Sequence, residues 1–162
     1  MHSLTEAEIR AAFREGMSPE AVAEIPMPDL GSMPWDALDY LGWIHPSGQI
    51  GYLVVVSPDD GRIRGTVLRR GRFSARKPGF EMCSLCHHVH QPDGTAMFTI
   101  TRKDAERRHT IGNLVCKDLD CSLRLRNIVP PATALNETRY PEAKIWRMQQ
   151  ALHKWLRTAN CL

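Results

Sequence analysis

The alternation of apolar and polar residues opens with a helix. In Leu4-Thr5-Glu6-Ala7-Glu8-Ile9, Thr5 is placed to cap the Glu8 amide and Glu8 to reach back, which is a capping box. Leu4 and Ile9 flank it as a hydrophobic staple. The pattern predicts a helix to about Glu15, stopped by Gly16. Ser18-Pro19 supplies a second start, with a cap and a first-turn proline in favoured places. Pro26, Pro28 and Pro34 forbid a long helix after it and leave room for a short turn over residues 35–40.

A hairpin follows. Gly51-Tyr52-Leu53-Val54-Val55-Val56 is rich in β-formers, Ser57-Pro58-Asp59-Asp60-Gly61 is turn chemistry, and residues 62–70 alternate into a second strand. In that strand Ile63, Gly65 and Val67 share one face, while Arg62, Arg64 and Leu68 share the other. Residues 98–101 and 110–115 read as further strands, and residues 121–127 as a helix. A last helix starts near Pro141, where Ile145, Met148, Leu152, Trp155 and Ala159 recur at helical spacing. Trp146 falls off that stripe. The expected architecture is α+β: an antiparallel sheet, short N-terminal helices and a C-terminal amphipathic helix packed on the sheet. Residues 1–40 are expected to form a helical arm and residues 41–162 the main domain.

The length of 162 residues suits one domain with a small appendage, long enough to bury a real core. No apolar run reaches the roughly 20 residues of a membrane span, and the polar start MHSLTEAEIR lacks the pattern of a secretory signal. A cytoplasmic protein is expected. Net charge is +3, but residues 1–40 carry eight acids and two bases while the remainder carries ten acids and nineteen bases. An acidic arm on a basic body points either to a nucleic-acid or acidic protein partner for the body, or to an arm that folds back and neutralises it.

The sharpest chemistry lies in the cysteines. Cys83-Ser84-Leu85-Cys86 is separated by 29 residues from Cys116-Lys117-Asp118-Leu119-Asp120-Cys121. Zn²⁺ takes four tetrahedral ligands and prefers thiolates in structural sites. A C-x2-C turn lets two sulfurs reach one ion, and a strand entering a helix lets the first helical turn aim the second pair at it. Four thiolates leave no open position, so the site is expected to be structural. A hairpin between the pairs and a helix after them is the layout of a treble-clef zinc finger. Redox thiols and unliganded core cysteines are the alternatives. His87, His88, His90 and His109 crowd nearby, placed to replace a cysteine or to support one. Cys161 is expected to be a frayed terminal thiol.

Met82-Cys83-Ser84-Leu85-Cys86 and Val115-Cys116-Lys117-Asp118-Leu119-Asp120-Cys121-Ser122-Leu123, with Leu41-Gly42-Trp43-Ile44-His45-Pro46 and the hairpin after it, resemble the FBP family. These are the elongation-factor-G-binding, FusB-type fusidic acid resistance proteins, which share a C-terminal treble-clef domain. The resemblance covers residues 40–130 and is to a compact member lacking the full N-terminal helical bundle of the resistance proteins. It implies one structural zinc held by Cys83, Cys86, Cys116 and Cys121. It also implies a non-enzymatic protein that docks on elongation factor G and frees drug-stalled ribosomes.

Residues 61–80 hold seven bases and no acid, Arg62, Arg64, Arg69, Arg70, Arg72, Arg76 and Lys77. Arg102, Lys103, Arg107 and Arg108 form a second group, and Arg124 and Arg126 a third. A zinc module that binds RNA or DNA through such groups is the competing class of function. No nucleophile elbow, phosphate-binding glycine loop or H-E-x-x-H is present in the sequence, which sets catalysis aside. The partner surface is expected on the basic side of the zinc domain, at His88, Arg107, Arg108 and Arg124.

Overall fold

In a computed structural model, residues 1–71, 79–102, 109–131, 133, 135 and 137–162 are described. Two short helices, α1 (Glu6–Phe13) and α2 (Pro19–Ala23), and two single 3-10 turns lead into the first strand. The strands are β1 (Leu41–Ile44), β2 (Ile50–Val56), β3 (Ile63–Arg70), β4 (Glu81–Met82), β5 (Val89–His90), β6 (Thr95–Thr101) and β7 (Thr110–Cys116). Helices α3 (Cys121–Leu125) and α4 (Pro141–Thr158) complete the chain. Strands β1-β2-β3-β6-β7 form one antiparallel sheet in that order, and β4 pairs with β5 in a separate small hairpin. This is the α+β architecture that the sequence predicts.

The sheet separates two apolar layers. Register places Leu41 opposite Val54 and Trp43 opposite Tyr52, so these four side chains share a face. They are buried with Leu4, Ile9, Phe13 and Val22 of the arm. The other face carries Leu53, Val55, Leu68, Phe98 and Ile100, buried with the cysteine cluster, α3 and α4. The expected facing of β3 holds: Ile63 and Val67 pack toward the arm, and Leu68 toward the cysteines.

The arm docks for local and tertiary reasons together. The Thr5 hydroxyl accepts from the Glu8 amide and the Glu8 carboxylate accepts from the Thr5 amide, so the capping box forms as predicted. Phe13 then sits edge-on to Trp43 and Tyr52, with ring centroids 6.1 and 5.9 Å away. A Cβ at Gly65 would lie 2.8 Å from the Phe13 ring, so β3 needs glycine there to let the ring reach the sheet. The Trp43 indole N–H donates to the Pro26 carbonyl at 2.8 Å and pins the following loop. Glu15 pairs with Arg64 at 2.5 Å, so the acidic arm folds back and neutralises part of the basic body.

On the opposite face α4 buries Met148, Leu152, Trp155 and Ala159 and leaves Trp146 exposed, as its periodicity predicts. Asp39, at the end of the arm, ties three segments together. Its amide donates to the Ser122 hydroxyl, and its carboxylate accepts from Arg126 at 2.6 Å and from Gln149 at 2.8 Å. Cys161 departs from expectation. It is 4% exposed and belongs to the core around α4, because the chain turns back after the helix and the Cys161 amide donates to the Leu156 carbonyl.

Candidate metal centre

The first knuckle follows β4. Its backbone closes through the His87 amide donating to the Cys83 carbonyl at 3.0 Å, and His87 takes a left-handed conformation, φ 58°. The Ser84 amide donates to Leu114 on β7 at 2.7 Å and so holds the knuckle against the second cysteine pair.

The second pair is built differently from expectation. Only Cys121 lies on a helix; Cys116 is the last residue of β7, and a turn intervenes. That turn requires Leu119 at φ 57°, a costly backbone for a branched side chain. Its side chain is compensated by burial. A Cβ at Gly42 would lie 2.7 Å from the Leu119 Cβ, and one at Gly51 would lie 3.1 Å from its Cδ1. The two glycines share one face of β1 and β2, and Leu119 fills the hole they leave. The four-residue spacing of this pair accommodates that anchor between the two sulfurs.

All four sulfurs converge. Cys83, Cys86, Cys116 and Cys121 are buried, and their Sγ atoms lie within 4.8 Å of one another. Cys83 and Cys121 are 3.7 Å apart, and Cys86 and Cys116 are 3.5 Å apart. A tetrahedron of Zn–S bonds of about 2.3 Å spaces its sulfurs by about 3.8 Å. The donor chemistry also fits a cation. Burial raises the Cys83 thiol, yet hydrogen bonds from the Cys116, Cys121 and Cys86 thiols bring it well below its ordinary value. The Cys116 thiol is driven far up by its bonds to Cys121, Cys83 and Cys86 and by burial. Four thiols in one dry pocket ionise together only around a divalent ion. The group fits one structural zinc ion.

The surroundings are suited to thiolates. The His90 Nε2 lies 3.3 Å from the Cys116 sulfur, and the residue is 1% exposed. With Cys116 ionised, Nε2–H is the donor. A Cβ on Gly94 would strike the His90 ring at 2.4 Å, so glycine is what lets the ring close over the sulfur. Tyr40 is buried beside the cysteine cluster. Burial first, then the sulfur of Cys121, push that phenol well above its ordinary range, so it stays a neutral group beside the cluster. Among the histidines near the knuckles, His90 is in contact with the Cys116 sulfur. The signal for it in the sequence is a glycine four residues on, legible only once a close approach is suspected.

His90→Phe is expected to keep the fold and weaken zinc retention by about 10–100-fold, as loss of an outer donor does. Gly94→Ala should act in the same direction by displacing the ring. Competition with a chromophoric chelator measures both, and wild-type retention in both variants would remove His90 from the site.

The predicted partner residues are placed unequally. His88 and Arg124 line one small cavity beside the first knuckle. The Arg124 side chain is 11% exposed and bonds Asp120 at 2.8 Å. Arg107 and Arg108 lie outside the described residues. Elsewhere in the basic groups, Arg62 and Arg64 meet Asp60, and Arg126 meets Asp39. Much of the positive charge is therefore compensated within the fold.

Comparison with known proteins follows this geometry. No curated protein matches the chain. Among solved structures, the fusidic acid resistance protein FusC superposes with a TM-score of 0.57 at 18% identity, covering 79% of this chain and 55% of FusC. The likeness is one of fold, and the chain spans little more than half of FusC. The family model for the FBP C-terminal treble-clef zinc-finger matches residues 8–159, arm, sheet, cysteine cluster and last helix together, and the chain belongs to that family.

Proposed function

We propose that this chain is a non-enzymatic, cytoplasmic binding protein of the translation machinery, docking on elongation factor G or the ribosome. Its zinc is held by Cys83, Cys86, Cys116 and Cys121. Family membership over residues 8–159 carries the reading. The thiolate cluster supports it, because four buried sulfurs leave no position for a substrate. Among the described residues, no helix is long and apolar enough to cross a membrane. The docking surface is the basic side of the finger, with His88, Arg107, Arg108 and Arg124 as its residues, where charge steers an acidic protein face.

Binding of purified elongation factor G, and capture from extract with and without nuclease, test the reading. A protein partner retained after nuclease is the expected result. Capture that vanishes with nuclease and falls steeply with salt would instead establish the RNA- or DNA-binding class. Arg107→Glu/Arg108→Glu is expected to weaken binding of elongation factor G while zinc content and melting temperature stay at wild-type values. Unchanged affinity would clear this surface and turn attention to the arginines of residues 62–77.

A further inference from the structure

The end of the arm runs antiparallel against the turn that carries the second cysteine pair. The Asp39 amide donates to the Ser122 hydroxyl at 3.1 Å. Further along, a Cβ at Gly42 would lie 2.7 Å from the Leu119 Cβ and 3.1 Å from the Leu119 carbonyl oxygen. One segment ascends as the other descends in equal steps, and between the two fixed points Tyr40 falls opposite Cys121. The same Cβ at Gly42 would lie 3.0 Å from Tyr40 Cε2, so glycine there admits the phenol ring as well as Leu119. Tyr40 is 1% exposed, and its hydroxyl oxygen is shut off from solvent. That hydroxyl faces the Cys121 sulfur, and the sulfurs of Cys116 and Cys83 also act on it.

A phenol in this position has one use for its proton. It stays neutral, and a neutral phenol is a donor. A thiol sulfur accepts weakly, whereas a metal-bound thiolate carries negative charge and accepts well. Solvent does not reach the hydroxyl, so a thiolate is the acceptor that relieves its burial. Four thiolates around a divalent ion leave the cluster negative, and a buried negative cluster needs donors around it. His90 Nε2 meets the Cys116 sulfur at 3.3 Å, and the Leu85 amide meets the Cys83 sulfur at 3.4 Å. Cys121 is 0% exposed, so its donor also has to come from the protein.

We propose that Tyr40 is a positioning residue of the metal centre, its hydroxyl donating to the Cys121 sulfur once that sulfur is a metal-bound thiolate. The two sulfurs of the second pair then have matching surroundings. His90 reaches Cys116 because Gly94 admits its ring, and Tyr40 reaches Cys121 because Gly42 admits its own. Tyr40 immediately precedes β1, so the bond also links the end of the arm to the metal. The assignment concerns the metal centre alone and does not depend on the partner on which the finger docks.

Tyr40→Phe keeps the ring and removes only the hydroxyl. Competition with a chromophoric chelator should show zinc held about 10–100-fold more weakly. Cobalt(II) in place of zinc supplies the specific readout, the charge-transfer band from thiolate to metal. Losing a donor raises the energy of the sulfur electrons, so the band should move to longer wavelength in Tyr40→Phe, as in His90→Phe. Ser122→Ala loosens the same antiparallel run without removing a donor to sulfur, and should leave the band in place. In the wild type loaded with NMR-active cadmium, the Tyr40 hydroxyl proton should exchange slowly and couple to the metal through the sulfur. That measurement needs no variant to fold. A band at the wild-type position in Tyr40→Phe, or a Tyr40 hydroxyl proton with no coupling to cadmium, overturns the assignment.

Discussion

Cys116→Ser/Cys121→Ser is expected to abolish zinc binding and dismantle one face of the molecule. The four cysteines are part of the same buried cluster as Leu53, Phe98, Met148 and Leu152. Losing the ion leaves unpaired thiols, hydroxyls and a left-handed Leu119 in the middle of that cluster. Zinc contributes on the order of 10 kcal/mol or more to folding in isolated finger peptides. A whole domain is stable by only about 5–15 kcal/mol, so even a fraction of that contribution decides whether α3 and the knuckles stay folded. Elemental analysis should fall from one zinc per chain to none. Hydrogen exchange should show α3 and β4–β5 opened first, since they are held by the ion and not by long ladders. Acidification should reproduce the effect in the wild type, because protons compete with zinc for the thiolates. Zinc at full stoichiometry in the double variant would contradict the ligand set.

The second large effect is expected on the opposite face. Phe13→Ala should cost about 3–5 kcal/mol, the range for removing a buried ring. Phe13 is 2% exposed and touches Trp43, Tyr52 and the surface of β3 at Gly65. The glycine that admits the ring has no side chain to move into its place. For a chain of this size the cost corresponds to a fall of roughly 6–20 °C in melting temperature. The arm should become sensitive to protease while zinc content is unchanged, since the cysteines lie across the sheet. An unaltered melting temperature would mean that the arm contributes little to stability and that its docking is incidental.

Local signals in the sequence proved sufficient for the elements that are locally encoded. The capping box at Thr5, the turn residues 57–61 and the stripe from Ile145 to Ala159 each carry their own instructions within a few residues. The first cysteine pair was legible for the same reason: a two-residue spacing closes a knuckle by itself. What the chain hides are features defined by distant partners. β1 is four residues long and is a strand only because β2 lies beside it. The second cysteine pair looks loosely spaced until Leu119 is seen filling the hole at Gly42 and Gly51. Four histidines near the knuckles are equivalent in sequence, and Gly94 alone distinguishes His90. Cys161 reads as a terminus in one dimension and as core in three.

The Asp39 junction sets a timetable for synthesis. Its partners Ser122, Arg126 and Gln149 lie 83, 87 and 110 residues downstream. A chain emerging from the ribosome can form the first helix and the β2–β3 hairpin early, since each is local. Asp39 then waits as a solvated carboxylate until α4 has been made. Cys83 and Cys86 wait likewise for Cys121, so metal capture is a late event and the finger face of the sheet stays uncovered through most of translation. Contacts of such range are slow to close and leave apolar surface available to other chains in the interval. The order of maturation is thus written into one aspartate: the arm's side of the sheet can settle first, and the metal side is sealed last.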